Sequence, residues 1–186
     1  LRRRAGSGLR RAVRRALRRG LLQKRHGDLH WAHDGLRAHV VAQVQDEARP
    51  ELHRMAAEAL ASQGQHDDDQ AERAAHLHTA GDRVEACAAL VDAIGFSLQA
   101  GDQAGRRDRA ERLLDWSTTD ETQVFRARAL VELGHIAATE RRPDEAAAKL
   151  EEARAVACEG PASAWLTFRE AQILIALGRP EDGRRA

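Results

Sequence analysis

The stretch Leu130-Val-Glu-Leu-Gly-His-Ile-Ala137, followed after a short turn by Ala146-Ala-Ala-Lys-Leu150-Glu-Glu-Ala153, decides how this chain is read. Both halves are built mostly from strong helix formers. Between them, Arg142-Pro143-Asp144-Glu145 ends one helix and starts the next. The acidic pair suits the positive end of the new helix. Outward from this stretch, the same spacing recurs. Gly134, Ala146, Leu150 and Ala153 are separated by 12, 4 and 3 residues, and Ala74, Ala86, Leu90 and Ala93 repeat those offsets. Ala171 and Gly183 repeat the offset of 12. The turns Ala80-Gly81-Asp82 and Arg179-Pro180-Glu181-Asp182 match the central one in character. From residue 70 onward the chain therefore reads as helix after helix, punctuated by Gly81, Gly101 with Gly105, Pro143 and Pro180. Thr118-Thr-Asp-Glu121 has the spacing of a capping box for the helix after it.

This pattern resembles the tetratricopeptide consensus. In that reading Gly134 and Ala146 allow close approach of two paired helices, Leu150 fills the gap between them, and Ala153 admits the next pair. The expected fold is mainly α: a tetratricopeptide-like helix-pair superhelix over residues 70–186. A generic alanine-rich helical bundle is the alternative. The stretch 94–116 departs from the pattern.

Composition supports a helical chain. Of 186 residues, 42% are hydrophobic but only 3% aromatic, and tyrosine is absent, so few residues favour strands. Charge is unevenly placed. Residues 1–25 carry eleven Lys/Arg and no acid, which leaves a net charge of −10 on the remainder. Leu9, Val13, Leu17 and Leu21 recur every four residues, and Ala12 and Ala16 widen that stripe. Arg10, Arg11, Arg14, Arg15, Arg18 and Arg19 cover the other face. This predicts an amphipathic helix stopped at Gly20. Residues 21–33 then change period, and Leu21–Arg25 and Leu29–His33 read as a β-hairpin about His26-Gly27-Asp28. Asp34 is expected to cap a helix carrying Leu36, Val40, Val41 and Val44. Pro50 is expected to start another, with Leu52, Met55, Ala56, Ala59 and Leu60 on one face. The polar run Gln63–Asp69 reads as a boundary. The expected organisation is residues 1–48, a connecting helix and linker over 49–69, and the repeats over 70–186.

The order of these features resembles the end of the winged-helix module in signal-transducing NTPases of the STAND class, which include MalT-like regulators and bacterial Ser/Thr kinases fused to such an NTPase. Trp31-Ala32-His33 stands where that family has a strand-borne aromatic-x-His. Arg49 through Leu60 matches the helix that follows, and Ala80-Gly81-Asp82 is usual for its first repeat. The resemblance implies a partial winged-helix module over residues 1–48, a hinge ahead of a sensor arm, in a piece of a longer polypeptide. It also implies a cytoplasmic setting, with a protein partner or the parent's own NTPase domain as the ligand and oligomerisation as an option.

No phosphate-binding loop is expected from Gly6-Ser7-Gly8, which lacks the GxxxxGK[ST] frame. The nine histidines show no zinc-site spacing, and Cys87 and Cys158 read as small buried hydrophobes. The many Asp/Glu residues alternating with Arg read as a solvated face. No catalytic, cofactor or metal residues are assigned, and the chain is read as non-catalytic. The repeat groove is expected to offer Arg128, Val131, His135 and Ala138. Without asparagine, it lacks the usual clamp for a peptide's terminal carboxylate. The alternative function is nucleic-acid binding through Arg10, Arg14, Arg18, Lys24 and Arg25. No apolar run approaches the roughly 20 residues of a membrane span.

Overall fold

The computed structural model of the chain describes residues 2–25, 28–63, 67–156, 169, 171–174 and 178. The architecture is mainly α with one small antiparallel sheet. It divides into two units between Arg49 and Pro50.

The first unit opens with α1, Arg2–Arg18. Val13, Ala16 and Leu17 are half-buried and the arginines from Arg10 to Arg19 are all exposed, as the period predicts, but Ala12, expected in the apolar stripe, is exposed. Gly20 adopts φ +66°, and Leu21 N–H donates to Ala16 O at 2.9 Å, so α1 ends in a glycine-closed Schellman turn. Strands β1, Leu22–Arg25, and β2, Asp28–Trp31, pair with Leu22 opposite Trp31 and Arg25 opposite Asp28. Helix α2, Asp34–Ala42, differs from expectation at its start. Extended His33 holds the cap position, Asp34 is already helical, and no side chain caps the helix. Leu36 and Val44 are half-buried, while Val40 and Val41 stay exposed.

The second unit begins with α3, Arg49–Gln63. The inward face of α3 is His53, Ala56, Ala57 and Leu60, whereas Leu52, Met55 and Ala59 are exposed. The face expected from the larger apolar residues is thus rotated. Polar contacts account for the rotation: Arg54 grips Asp82 with Nε at 2.7 Å and Nη2 at 2.8 Å, and His53 shares a 2.8 Å hydrogen bond with His76. These contacts, with Ala57 in the core, hold α3 against α4 and the turn before α5.

Helices α4, Asp67–Ala80, α5, Arg83–Ala100, α6, Gln103–Trp116, α7, Gln123–Thr139, and α8, Pro143–Val156, follow, each packed on the next. Residues 171–174 are again helical. The core is made largely of small side chains. Ala74, Ala86, Cys87, Leu90, Ala110 and Leu113 form one cluster, and Leu130, Val131, Ala146, Leu150, Ala153 and Ile173 another. Alanines at the contacts let helices approach closely, and leucines fill what remains.

Three connections share one geometry. Asp82 N–H reaches Leu77 O at 3.0 Å, Asp102 N–H reaches Ser97 O at 2.9 Å, and Arg142 N–H reaches Ala137 O at 2.9 Å. The residue before each donor is left-handed: Gly81 at φ +89°, Gly101 at +71° and Arg141 at +59°. Arg141 alone lacks the freedom of glycine there, and a side chain in that region costs about 1–2 kcal/mol. Arg141→Gly is therefore expected to raise stability by about 0.5–1 kcal/mol, after the larger chain entropy of glycine is set against the relief. A urea midpoint at or below that of the wild type would contradict this.

The cap before α7 sits one residue later than expected. Thr119, not Thr118, forms the box, with Thr119 N–H donating to Thr122 Oγ1 at 3.1 Å, and a 3-10 turn, Asp120–Thr122, leads into the helix. The two copies read from the sequence, α4 with α5 and α7 with α8, have a single helix, α6, between them. One intervening helix shifts the alternation of first and second helices, so these two copies cannot share one repeat phase.

Candidate functional site

Helix α5 presents Val91, Asp92, Gly95 and Gln99 along one face. This face forms the floor of a groove of about 310 Å³, with Phe96 beside it, Gln70 from α4 on one side and Arg128 from α7 on the other. Val91 and Phe96 supply apolar surface. Asp92, Gln70, Gln99 and Arg128 supply both signs of charge and both hydrogen-bonding senses. A methyl placed on Gly95 would meet nothing within 4 Å. Glycine in the interior of a helix costs about 1 kcal/mol relative to alanine. Among the described residues no close neighbour, and no left-handed backbone, requires glycine at Gly95, which lines the groove.

Of the four groove residues expected from sequence, the structure brings only Arg128 to this groove. Arg128 is exposed and His135 is half-buried. Val131 is fully buried and Ala138 nearly so, both in the core with Leu150 and Ile173, so neither offers surface to a partner. They lie on the face of α7 that packs against later helices. A signal for the groove was present in the sequence. Gly95 interrupts the strong helical run Ala86–Leu98 without ending it, and a helix-interior glycine asks for a packing or functional reason.

A second constellation was missed. Glu132 is 5% exposed and Arg106 is 1% exposed. Glu132 Oε2 accepts from Arg106 Nε at 3.1 Å and also from its Nη2, while Oε1 accepts from Arg169 Nη2 at 2.9 Å. Arg106 Nη2 also lies 2.9 Å from His135 Nδ1. A buried carboxylate thus sits between two guanidiniums and joins α6, α7 and the helical residue Arg169. Nearby, Arg109 is buried and donates to Ser97 Oγ. The alternation of acids and arginines is therefore not wholly a solvated face. The clue was Glu132 itself, a carboxylate inside the apolar run Leu130–Ala138.

His53, His76, His78 and His135 serve local contacts. His76 and His78 diverge as their spacing requires: His76 meets His53, while His78 stacks on Trp116 with ring centroids 4.1 Å apart. Among the described residues, no group of three or more His, Cys, Asp or Glu is placed to hold a metal ion. His66 and Cys158 lie outside the described residues. Burial pushes the Cys87 thiol up to about 11. That favours the unreactive protonated form.

Burial holds His135 below the ordinary histidine value, helped by Arg106 and Arg169 and opposed by Glu132. His78 is lowered by burial and then by Arg83. The unfolded chain therefore takes up these protons first as pH falls. The stabilisation is complete above the unfolded histidine value of about 6.5 and is lost as pH drops from there through the folded values. The urea midpoint is expected to be lower at pH 5.5 than at pH 7.5, with a smaller difference in His135→Gln. An equal or higher midpoint at pH 5.5 would contradict this coupling.

The five basic residues expected to touch nucleic acid are exposed in the first unit: Arg10, Arg14 and Arg18 on α1, and Lys24 and Arg25 on β1. Among the described residues, no helix is long and apolar enough to cross a membrane. No family model, curated protein or solved structure matches this chain.

Proposed function

We propose that this chain is a non-catalytic interaction and sensor arm of a larger cytoplasmic signalling or transcription-regulatory ATPase of the STAND class, with fusion to a Ser/Thr kinase as one form of the parent. The helix stack α4–α8 acts in this reading as a tetratricopeptide-like superhelix, and the first unit as the end of a winged-helix hinge. The reading rests on the order of hairpin, helix and stacked helices. The observation that carries the interaction role is the open groove over Gly95, lined by Asp92 and Gln99 of α5, Gln70 of α4 and Arg128 of α7. A groove that mixes apolar surface with polar side chains of both hydrogen-bonding senses suits a protein segment. Its side chains can fill the space while Gln70 and Gln99 answer backbone N–H and C=O groups.

The test has two parts. The reading frame upstream of Leu1 should encode a nucleotide-binding domain; a frame without one would end the ATPase assignment. That domain, purified, should then bind this chain in calorimetry, and Gly95→Trp should weaken binding at least tenfold with an unchanged urea midpoint. Binding unaffected by Gly95→Trp would remove the groove from the interface.

A further inference from the structure

The strongest charge asymmetry lies in the first unit and is not used by the interaction groove. Arg10, Arg14 and Arg18 form one row along α1, and Arg11 and Arg15 form the next. Arg19 continues the exposed surface beyond the helix end, and Lys24 and Arg25 add to it on β1. No acid occurs before Asp28. The opposite side of α1 is Val13, Ala16 and Leu17, all half-buried within the unit.

Geometry selects among polyanions. Residues four apart on a helix advance about 6 Å along its axis. Phosphates on one strand of a duplex rise about 3.4 Å each along its axis while winding around it, and the two strands together carry one charge per about 1.7 Å. A straight arginine row does not track one winding strand phosphate by phosphate, but two adjacent rows with cations about 6 Å apart set a dense positive face against that charge. Each guanidinium offers the forked donors that phosphate oxygens accept. A helix that lies in a bilayer surface needs its apolar side available for burial among acyl chains. On α1 that side is already half-covered, so the helix presents charge without a wedge.

We propose that the arginine face of α1, with Lys24 and Arg25 of β1, binds the phosphate backbone of duplex nucleic acid without reading its sequence. The affinity would come from counterion release, and no base-edge contact is required.

Fluorescence anisotropy with a labelled 20-base-pair duplex, from 50 to 200 mM KCl, tests this. With about five phosphates neutralised, log K should fall against log salt with a slope of about −4.5, a loss of roughly 500-fold across that range. Arg10→Gln/Arg14→Gln/Arg18→Gln should flatten the slope by about 2.7. Lys149→Gln/Arg154→Gln, on α8, should leave it unchanged. Duplexes of unrelated sequence should bind alike. Absence of binding at 50 mM KCl would overturn the proposal, as would a slope indifferent to the triple substitution. Binding to phosphatidylserine vesicles but not to the duplex would overturn it in favour of a lipid surface. Should the triple variant lose its far-ultraviolet helical signal, the single variants replace it, each expected to flatten the slope by about 0.9.

Discussion

Glu132→Ala is expected to destabilise the second unit by about 3–5 kcal/mol, the usual cost of removing one partner from a buried ion pair. The size follows from what is left behind. Arg106 is 1% exposed and would lose its carboxylate, keeping only the His135 contact. Arg169 would keep Gln172, which it reaches at 2.8 Å, but lose Glu132. Two guanidiniums would remain near one another with no anion between them. Domains of this size are stable by only about 5–15 kcal/mol, so the variant should stand close to unfolding. Urea titration at pH 7.5 reads this directly.

A rescue separates charge from shape. Arg106→Met/Glu132→Leu/Arg169→Met removes all three charged groups and keeps most of the volume. Replacing a whole buried ionic cluster by apolar residues is often neutral or stabilising. The triple variant should therefore be more stable than Glu132→Ala, although it carries more changes. A loss under about 1 kcal/mol in Glu132→Ala, or no recovery in the triple variant, would show that the cluster is not a buried electrostatic unit.

Periodicity made the mainly helical fold legible, and the hairpin with it. Arginine and leucine at four-residue spacing placed α1, and Gly20 marked its end because only a left-handed residue closes that turn without strain. What the sequence obscured were the cases where polar partners overrule hydrophobic size. Leu52 and Met55 mark an apolar face on α3, yet the Arg54–Asp82 and His53–His76 contacts fix the helix with that face outward. Along α7, two of the four residues expected to line a groove, Val131 and Ala138, are core positions, and small size alone could not say which of Val131, Ala138 and His135 would be covered. The 12-4-3 spacing falls on the helix pairs α4–α5 and α7–α8, but helix count, not spacing, determines phase. Only the structure supplies α6 as the single helix between the copies. For the groove, the legible signal was an unexplained glycine, Gly95, in a segment that departs from the repeat pattern.

Gly134 offers a sharper test of how such repeat signatures should be read. A glycine in this position can be required for two physical reasons, backbone freedom or close packing. Its place is an ordinary helical one in α7, so backbone freedom is not the reason. A methyl there would lie 3.4 Å from Ala146 O, 3.4 Å from Lys149 Cβ and 3.8 Å from Ile173 Cδ1. Those are ordinary contact distances, so alanine fits, and it recovers up to about 1 kcal/mol of helix propensity. Gly134→Ala is thus expected to be neutral or mildly stabilising. Leucine has no such room. Its added carbons would meet the backbone carbonyl of Ala146, which α8 cannot withdraw without moving as a whole. They would also press on Ile173, which couples the damage to the helical residues 171–174. Gly134→Leu is expected to cost about 3 kcal/mol, the upper end for overpacking. Paired urea midpoints give the answer. Equal damage from alanine and leucine would mean that α7 and α8 lie closer than described. A tolerated leucine would mean that Gly134 does not set their separation.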